Sequence, residues 1–212
     1  MRDTPIRRRK DARPAELLAA AREVFAAKGF AAARMEDIAA RAGVSKGTVY
    51  LYFPSKQAVF EALVRQAILP NVERLEAMAA AYEGPTADLL RQAMALFPTL
   101  VRDPKVVTIP RLVIGEAGNQ PEMADFYRRE VVERGLGLIS GILRRGAERG
   151  EFRPLAPDTV AKLWFAPLLL AVVWRTTFEP VGGAPLELDD YLRTHVDIML
   201  RGLAPEGGTD AA

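Results

Sequence analysis

Ile38-Ala39-Ala40-Arg41-Ala42-Gly43-Val44-Ser45-Lys46-Gly47-Thr48-Val49-Tyr50-Leu51-Tyr52-Phe53 has the spacings of two short helices joined at a tight corner. Ala39 is small where the helices must approach most closely, Gly43 permits the positive φ needed to leave the first helix, and Val44 is placed to plug the corner. Ser45 is a natural cap for the second helix. Ile38, Val49 and Phe53 then form an apolar seam, leaving Lys46, Thr48, Tyr50 and Tyr52 largely outside. This is the pattern of a helix-turn-helix, whose second helix enters the major groove of DNA.

The flanking sequence frames that unit with further helices. Leu17, Leu18, Ala21, Val24 and Phe25 recur at helical spacing, which predicts a helix over about 14–28, opened by Pro14 in its first turn and closed at Lys28-Gly29. A short helix is expected from Met35 to Ala42. Ser55 should cap a helix running to about Ala81. Beyond a hinge at Glu83-Gly84-Pro85, Thr86 is expected to cap a helix of about 87–101, and an apolar helix follows from Val106 to Ile114 with a kink or break at Pro110. Long helices are expected over about 122–149, 158–178, with a kink at Pro167, and 189–203, and a frayed tail from Ala204 to Ala212. No stretch alternates apolar and polar residues long enough for a strand, so the fold class is all-α.

Charge is unevenly divided. Residues 1–60 hold 12 Lys and Arg against 6 Asp and Glu, or +6, whereas the remaining 152 hold 17 against 21, or −4. A basic N-terminal part, including Arg7-Arg8-Arg9-Lys10, on an acidic body points to a polyanionic partner, because cationic side chains release counterions from a phosphate backbone. A surface-membrane role for the basic arm and a merely solvated tail are the competing readings.

Composition removes several function classes. The chain has no cysteine and one histidine, which excludes disulfides, thiolate chemistry and multi-His metal sites, and no cofactor or metal is expected. A Ser-His-Asp triad would need His195, and no Gly-x-Ser-x-Gly elbow is present, so an enzyme is not expected. The longest apolar run, Leu163 to Trp174, is 12 residues and contains Pro167, whereas a membrane span needs about 20. It reads as a buried helix, no membrane partner is expected, and no secretory signal is evident, so a cytoplasmic protein is expected.

Gly29-Phe30, Met35-Glu36-Asp37-Ile38-Ala39, Ala42 to Tyr50, Tyr52-Phe53 and Ser55-Lys56 together resemble the DNA-binding domain of TetR/AcrR transcriptional regulators. The resemblance implies a helix-turn-helix domain over 11–71 and a ligand-binding and dimerisation domain over 82–204. It also implies that Ser45, Lys46, Thr48, Tyr50, Tyr52 and Lys56 face DNA. From their own chemistry, Lys46 suits guanine acceptors, the Thr48 methyl suits a thymine methyl, and Gly47 lets the backbone come close. Tyr50, Tyr52 and Lys56 suit phosphates, although packing is a second reading for the two tyrosines. The family often has Thr or Ser before the second helix, where this chain has Ala33-Arg34, so the cap is lost, and either Arg34 supplies the phosphate contact by charge or that contact is absent.

Arg111 to Glu116, Pro121-Glu122 and Phe126-Tyr127 resemble, more loosely, the C-terminal domain of the AcrR/AefR-like branch. That resemblance implies a homodimer joined through the last two long helices. Independently, Leu163, Trp164, Leu168, Leu169, Leu170, Val172, Val173 and Trp174 cover too much of one helix for a single buried stripe. The expected function is a ligand-responsive regulator, foremost a repressor, that binds a palindromic double-stranded operator as a homodimer and is released by a small-molecule effector. Phe97, Arg111, Glu116, Phe126, Trp164 and Trp174 are the candidate ligand-binding residues, with the core as an alternative for each aromatic. The alternative function is a helical small-molecule-binding or scaffold dimer without specific DNA binding.

Overall fold

The structure is a computed structural model that describes residues 5–205, with side chains from Pro14 onward. The side chains of Arg7 to Lys10 and the tail from 206 to 212 lie outside the described residues. Twelve α-helices follow in order: α1 Pro5–Ala32, α2 Met35–Arg41, α3 Lys46–Tyr52, α4 Lys56–Ala67, α5 Leu69–Ala81, α6 Thr86–Ala95, α7 Phe97–Arg102, α8 Pro104–Glu116, α9 Pro121–Tyr127, α10 Arg134–Glu148, α11 Pro157–Val173 and α12 Leu188–Leu203. No strand occurs among the described residues.

The helices form two compact units. One comprises residues up to Ile68 together with Thr108–Tyr127, and the other comprises Leu69–Val107 together with Arg128 onward. In the first, Leu17, Ala21, Phe25, Ile38, Val49, Val59, Phe60 and Val64 are buried around α1 to α4. In the second, the core gathers Leu89, Leu90, Leu143, Trp164, Leu188 and Leu192 from α6, α10, α11 and α12.

Several helix boundaries differ from the periodicity, and most differences trace to proline. α1 begins at Pro5, so Pro14 lies inside it and not at its first turn, and the helix breaks at Gly29, whose φ of 78° no L-residue adopts cheaply. The helix expected from Ser55 to Ala81 is interrupted at Ile68, two residues before Pro70, which has no N–H to continue the ladder. Pro98 does the same within the expected 87–101 helix, which divides into α6 and α7. Thr86 is the first helical residue of α6 and caps nothing: its amide donates to the Glu151 carboxylate, while its buried hydroxyl has no partner. Conversely, Pro110 sits inside α8 without ending it. The long 122–149 helix is divided by a π-helical stretch, Arg128–Glu133, and α11 likewise passes into a π-helical stretch, Trp174–Phe178.

The apolar helix departs most from expectation. Pro157–Val181 is long and apolar enough, by length and composition, to cross a membrane, yet only 22% of its most apolar window is buried. Trp164, Ala161 and Ala171 face the core, whereas Leu163 and Leu169 are each 54% exposed and Leu170 is 47% exposed. The expected fully buried helix is therefore half open to its surroundings.

Close packing in the second unit rests on Gly146. A Cβ there would collide with the Phe152 ring and lie 3.1 Å from Thr86 Cγ2. Alanine in a helix interior gains about 1 kcal/mol over glycine, but overpacking costs about 1–3 kcal/mol. Gly146→Ala is accordingly expected to lower the unfolding free energy in a urea titration, against its helix propensity.

His195 lies against Trp164, with ring centroids 5.7 Å apart, and His195 Nε2 and Trp164 Nε1 are both buried without a partner. Burial pushes the imidazole below its ordinary pKa, opposed by a hydrogen bond to the Trp164 backbone. The unfolded chain therefore takes up this proton first. Stability should fall as pH drops from neutral through the ordinary histidine range, above the range where carboxylates protonate. Thermal unfolding of His195→Gln should show a shallower decline over that interval.

Candidate nucleic-acid interface

The corner between α2 and α3 follows the sequence closely. Gly43 has φ 66°, the Val44 amide donates to the Ala39 carbonyl at 3.0 Å, and Ala39 is buried where the helices meet. Ile38 and Val49 are fully buried and Phe53 nearly so, which fixes the rotation of α3 about its own axis. Ser45 is extended, and its hydroxyl accepts from the Thr48 amide at 3.2 Å. Ser45 Oγ and Thr48 Oγ1 lie 2.9 Å apart, so the threonine hydroxyl turns back to the cap and its methyl is the free end.

With the seam buried, Ser45, Lys46, Gly47 and Tyr50 are exposed, and Thr48 and Tyr52 are half-buried. These six form a continuous polar and aromatic surface on one short helix. Leu51, which the sequence reading passed over, is 77% exposed on the same helix. It follows Gly47 by four residues, the helical neighbour spacing, and an open leucine there is suited to thymine methyls.

Charge around this face is tightly paired. The Lys46 ammonium binds the Glu36 carboxylate and stands 5.6 Å above the Tyr50 ring centre. The hydrogen bond from Lys46 lowers the Glu36 pKa, and the same bond raises that of Lys46. Lys28 pairs with Asp37 at 2.7 Å and Arg41 pairs with Glu23. Asp37 also accepts from the Arg34 amide at 3.0 Å. The start of α2 therefore keeps half of its cap despite lacking Ser or Thr, because the acid three residues on reaches back. Arg34 itself is exposed, and a guanidinium has no acceptor with which to cap.

Lys56 occupies a different place from the one expected. Its ammonium donates to the carbonyls of Phe30 at 2.5 Å, Ala31 at 2.9 Å and Ala33 at 2.9 Å, and lies 4.6 Å from the Phe30 ring centre. All three of its donors are thereby engaged, leaving none for a phosphate. Burial lowers its pKa, opposed by the nearby Glu116 charge. Ser55 caps α4 beside it, accepting from the Ala58 amide at 3.1 Å.

The six candidate ligand residues are not collected within one unit. Arg111, Glu116 and Phe126 belong to the first, and Phe97, Trp164 and Trp174 to the second. Glu116 Oε1 accepts from the Ala31 amide at 3.1 Å, so this carboxylate clasps the chain just past the Gly29 break. Arg111 is exposed. Phe126 is buried under the Arg65 guanidinium, 5.0 Å from its ring centre. Trp164 is core, Phe97 meets Phe165 edge-on at 6.1 Å, and the Trp174 indole donates to the Ala184 carbonyl at 2.8 Å. Two open grooves beside α12, sharing Arg91 and Asp197, are lined by none of the six. Among the described residues no cluster of acids or histidines is arranged to hold a metal.

Comparison with known proteins decides the relationship. Residues 17–63 match the family of bacterial regulatory proteins of the tetR type, and residues 82–187 match the tetracyclin repressor-like C-terminal domain. The chain belongs to the TetR family of transcriptional regulators. It is a regulator and not an enzyme. It is 30% identical over 163 residues to the transcriptional regulator YfiR of Bacillus subtilis, covering 73% of this chain and 76% of that one. It is 27% identical over 198 residues to the transcriptional repressor KstR2 of Mycobacterium tuberculosis, covering 93% and 96%. The fold is shared with FadR of Bacillus subtilis, solved in complex with stearoyl-CoA, at a TM-score of 0.71 and 22% identity over 89% of this chain and 98% of that one. The C-terminal match carries no assignment to the AefR-like branch.

The three carbonyls under Lys56 make it a stability residue of the reading head. Replacing it with methionine keeps the stem and removes the donors, and should cost about 1–3 kcal/mol in denaturant unfolding. Amide exchange at Ala31 should rise in Glu116→Ala and stay near the native rate in Glu116→Gln, which retains an acceptor.

Proposed function

We infer that this TetR-family protein is a ligand-responsive repressor that binds a palindromic operator as a homodimer and leaves it when a small-molecule effector binds. The observation that carries the reading is the outer face of α3, where Ser45, Lys46, Gly47, Thr48 and Tyr50 stand clear of a seam closed by Ile38 and Val49. On this reading residues 11–71 read the duplex. Lys46 and the Thr48 methyl meet base edges, Gly47 admits the backbone, and Ser45, Tyr50, Tyr52 and Arg34 hold phosphates. Lys56 acts behind that surface by holding the end of α1.

Residues 82–204 are proposed as the effector-binding and dimerising part. The exposed leucines of α11 support dimerisation, because Leu163 and Leu170 are two turns apart on one face and Ile198 of α12 is 65% exposed. A second copy laid against these helices covers apolar surface that the protomer leaves in water. It also gives two recognition helices related by a two-fold axis, the symmetry of a palindromic site. FadR was solved with stearoyl-CoA, which together with the Phe97–Phe165 pair supports an apolar effector.

Fluorescence anisotropy with the duplex upstream of the protein's own gene tests this reading. Binding in the nanomolar range is expected, with Lys46→Ala and Thr48→Ala each losing about 1–3 kcal/mol of discrimination against a random duplex. Equal affinity of the native protein for operator and random duplex at physiological salt overturns it in favour of a helical dimer without specific DNA binding.

A further inference from the structure

The recognition helix carries a single cation, Lys46, and that cation is already bound. Its partner Glu36 sits in the first turn of α2 between Met35 and Ile38, both buried, so the backbone that bears the carboxylate is anchored in the core. The two side chains are 56% and 51% exposed, which makes the pair a solvent-facing one that can open. Among the other ion pairs described in residues 14–71, Lys28 with Asp37 and Arg41 with Glu23 join α1 to α2 and Arg65 with Glu61 lies within α4, so these leave α3 alone. Lys56 is held by backbone carbonyls. The charge that α3 presents to DNA is therefore set by one contact.

We propose that Glu36 competes with DNA for the Lys46 ammonium and holds down the affinity of the recognition helix for duplex. The proposal rests on the DNA-binding reading above. A duplex of arbitrary sequence offers Lys46 only phosphates in exchange for a carboxylate, one anion for another, and leaves Glu36 unpaired and facing a polyanion. A cognate site offers O6 and N7 of a guanine in the major groove, a directed contact that the carboxylate does not replace. Either contact requires the Lys46–Glu36 pair to open first, so the acid lowers affinity for random and cognate duplex alike. Tyr50 contributes by keeping the released ammonium over its ring, close to the groove face.

Anisotropy titrations of random-sequence duplex and of the upstream duplex across a potassium chloride series, with native protein, E36Q, K46A and the double variant, test this. E36Q should tighten binding to random duplex roughly two- to fivefold, the factor for releasing an exposed ion pair. It should tighten the upstream duplex at least as much, and steepen the salt dependence on random duplex by about 0.9 in logarithmic slope. E36A, which also lacks the carboxylate, should reproduce the steepening. The double variant should gain less over K46A than E36Q gains over the native protein. Unchanged affinity of both E36Q and E36A for random duplex, or an equal gain when Lys46 is already absent, overturns the proposal while leaving the DNA-binding reading intact. Failure of the native protein to bind any duplex at low salt overturns both.

Discussion

The reading head depends on how one broken helix end is closed. α1 leaves its helical path at Gly29, and the carbonyls that follow have lost their intrahelical partners. A carbonyl withdrawn from water without a donor is costly, and the Lys56 ammonium donates to those of Phe30 and Ala33, which are part-buried, and of Ala31, which is exposed. That single cation ties α1 to the first turn of α4. Between those two anchors lie α2, the corner and α3, whose arrangement is thereby bounded at both ends. The Glu116 carboxylate holds the Ala31 amide of the same short segment. A stretch of four residues is thus gripped through its carbonyls by a lysine and through an amide by a glutamate.

A second constraint is the economy of charge on the reading face. Most of the N-terminal excess lies in residues 1–13, where six Lys and Arg meet two acids. The helix-turn-helix itself is close to balanced, and ion pairs engage Arg41 and Lys46 within it. Such surface pairs contribute little to folding. Their larger effect is on what the face offers to a polyanion, since each pair must open before its cation can be shared.

What the sequence disclosed, and what it did not, divides along the range of the interactions. Gly43, Ser45, Ile38 and Val49 were legible because a tight corner, a cap and a seam are set by neighbours a few residues apart. The all-α class was legible for the same reason. The three carbonyls that hold Lys56 were not legible because they lie more than twenty residues back. Asp37 as the cap of α2 could have been read from its position three residues after Arg34. Glu116 could not, since its partner is 85 residues away. The helix breaks at Pro70 and Pro98 were within reach of the rules for proline, yet Pro110 shows that the same residue is carried inside a helix when tertiary packing holds it. The division of the six ligand candidates between the two units has a similar origin: composition marks aromatic and charged residues on apolar helices but not which of them come together.

The π-helical stretch Arg128–Glu133 makes chain length itself a packing parameter. In an α-helix each residue turns the axis by about 100°, so a regular helix one residue shorter here would rotate everything after it by that amount. α10 presents Ile139, Ile142 and Leu143 to the core and directs Arg134 into a two-pronged contact with Glu76 at 3.0 and 2.6 Å. Within its own unit the stretch packs on α5 as well as leading into α10, so a residue removed from it shifts the register of the one contact against the other. A codon lost or gained at this point is therefore felt by two packed faces at once, and not by the local hydrogen-bond ladder alone.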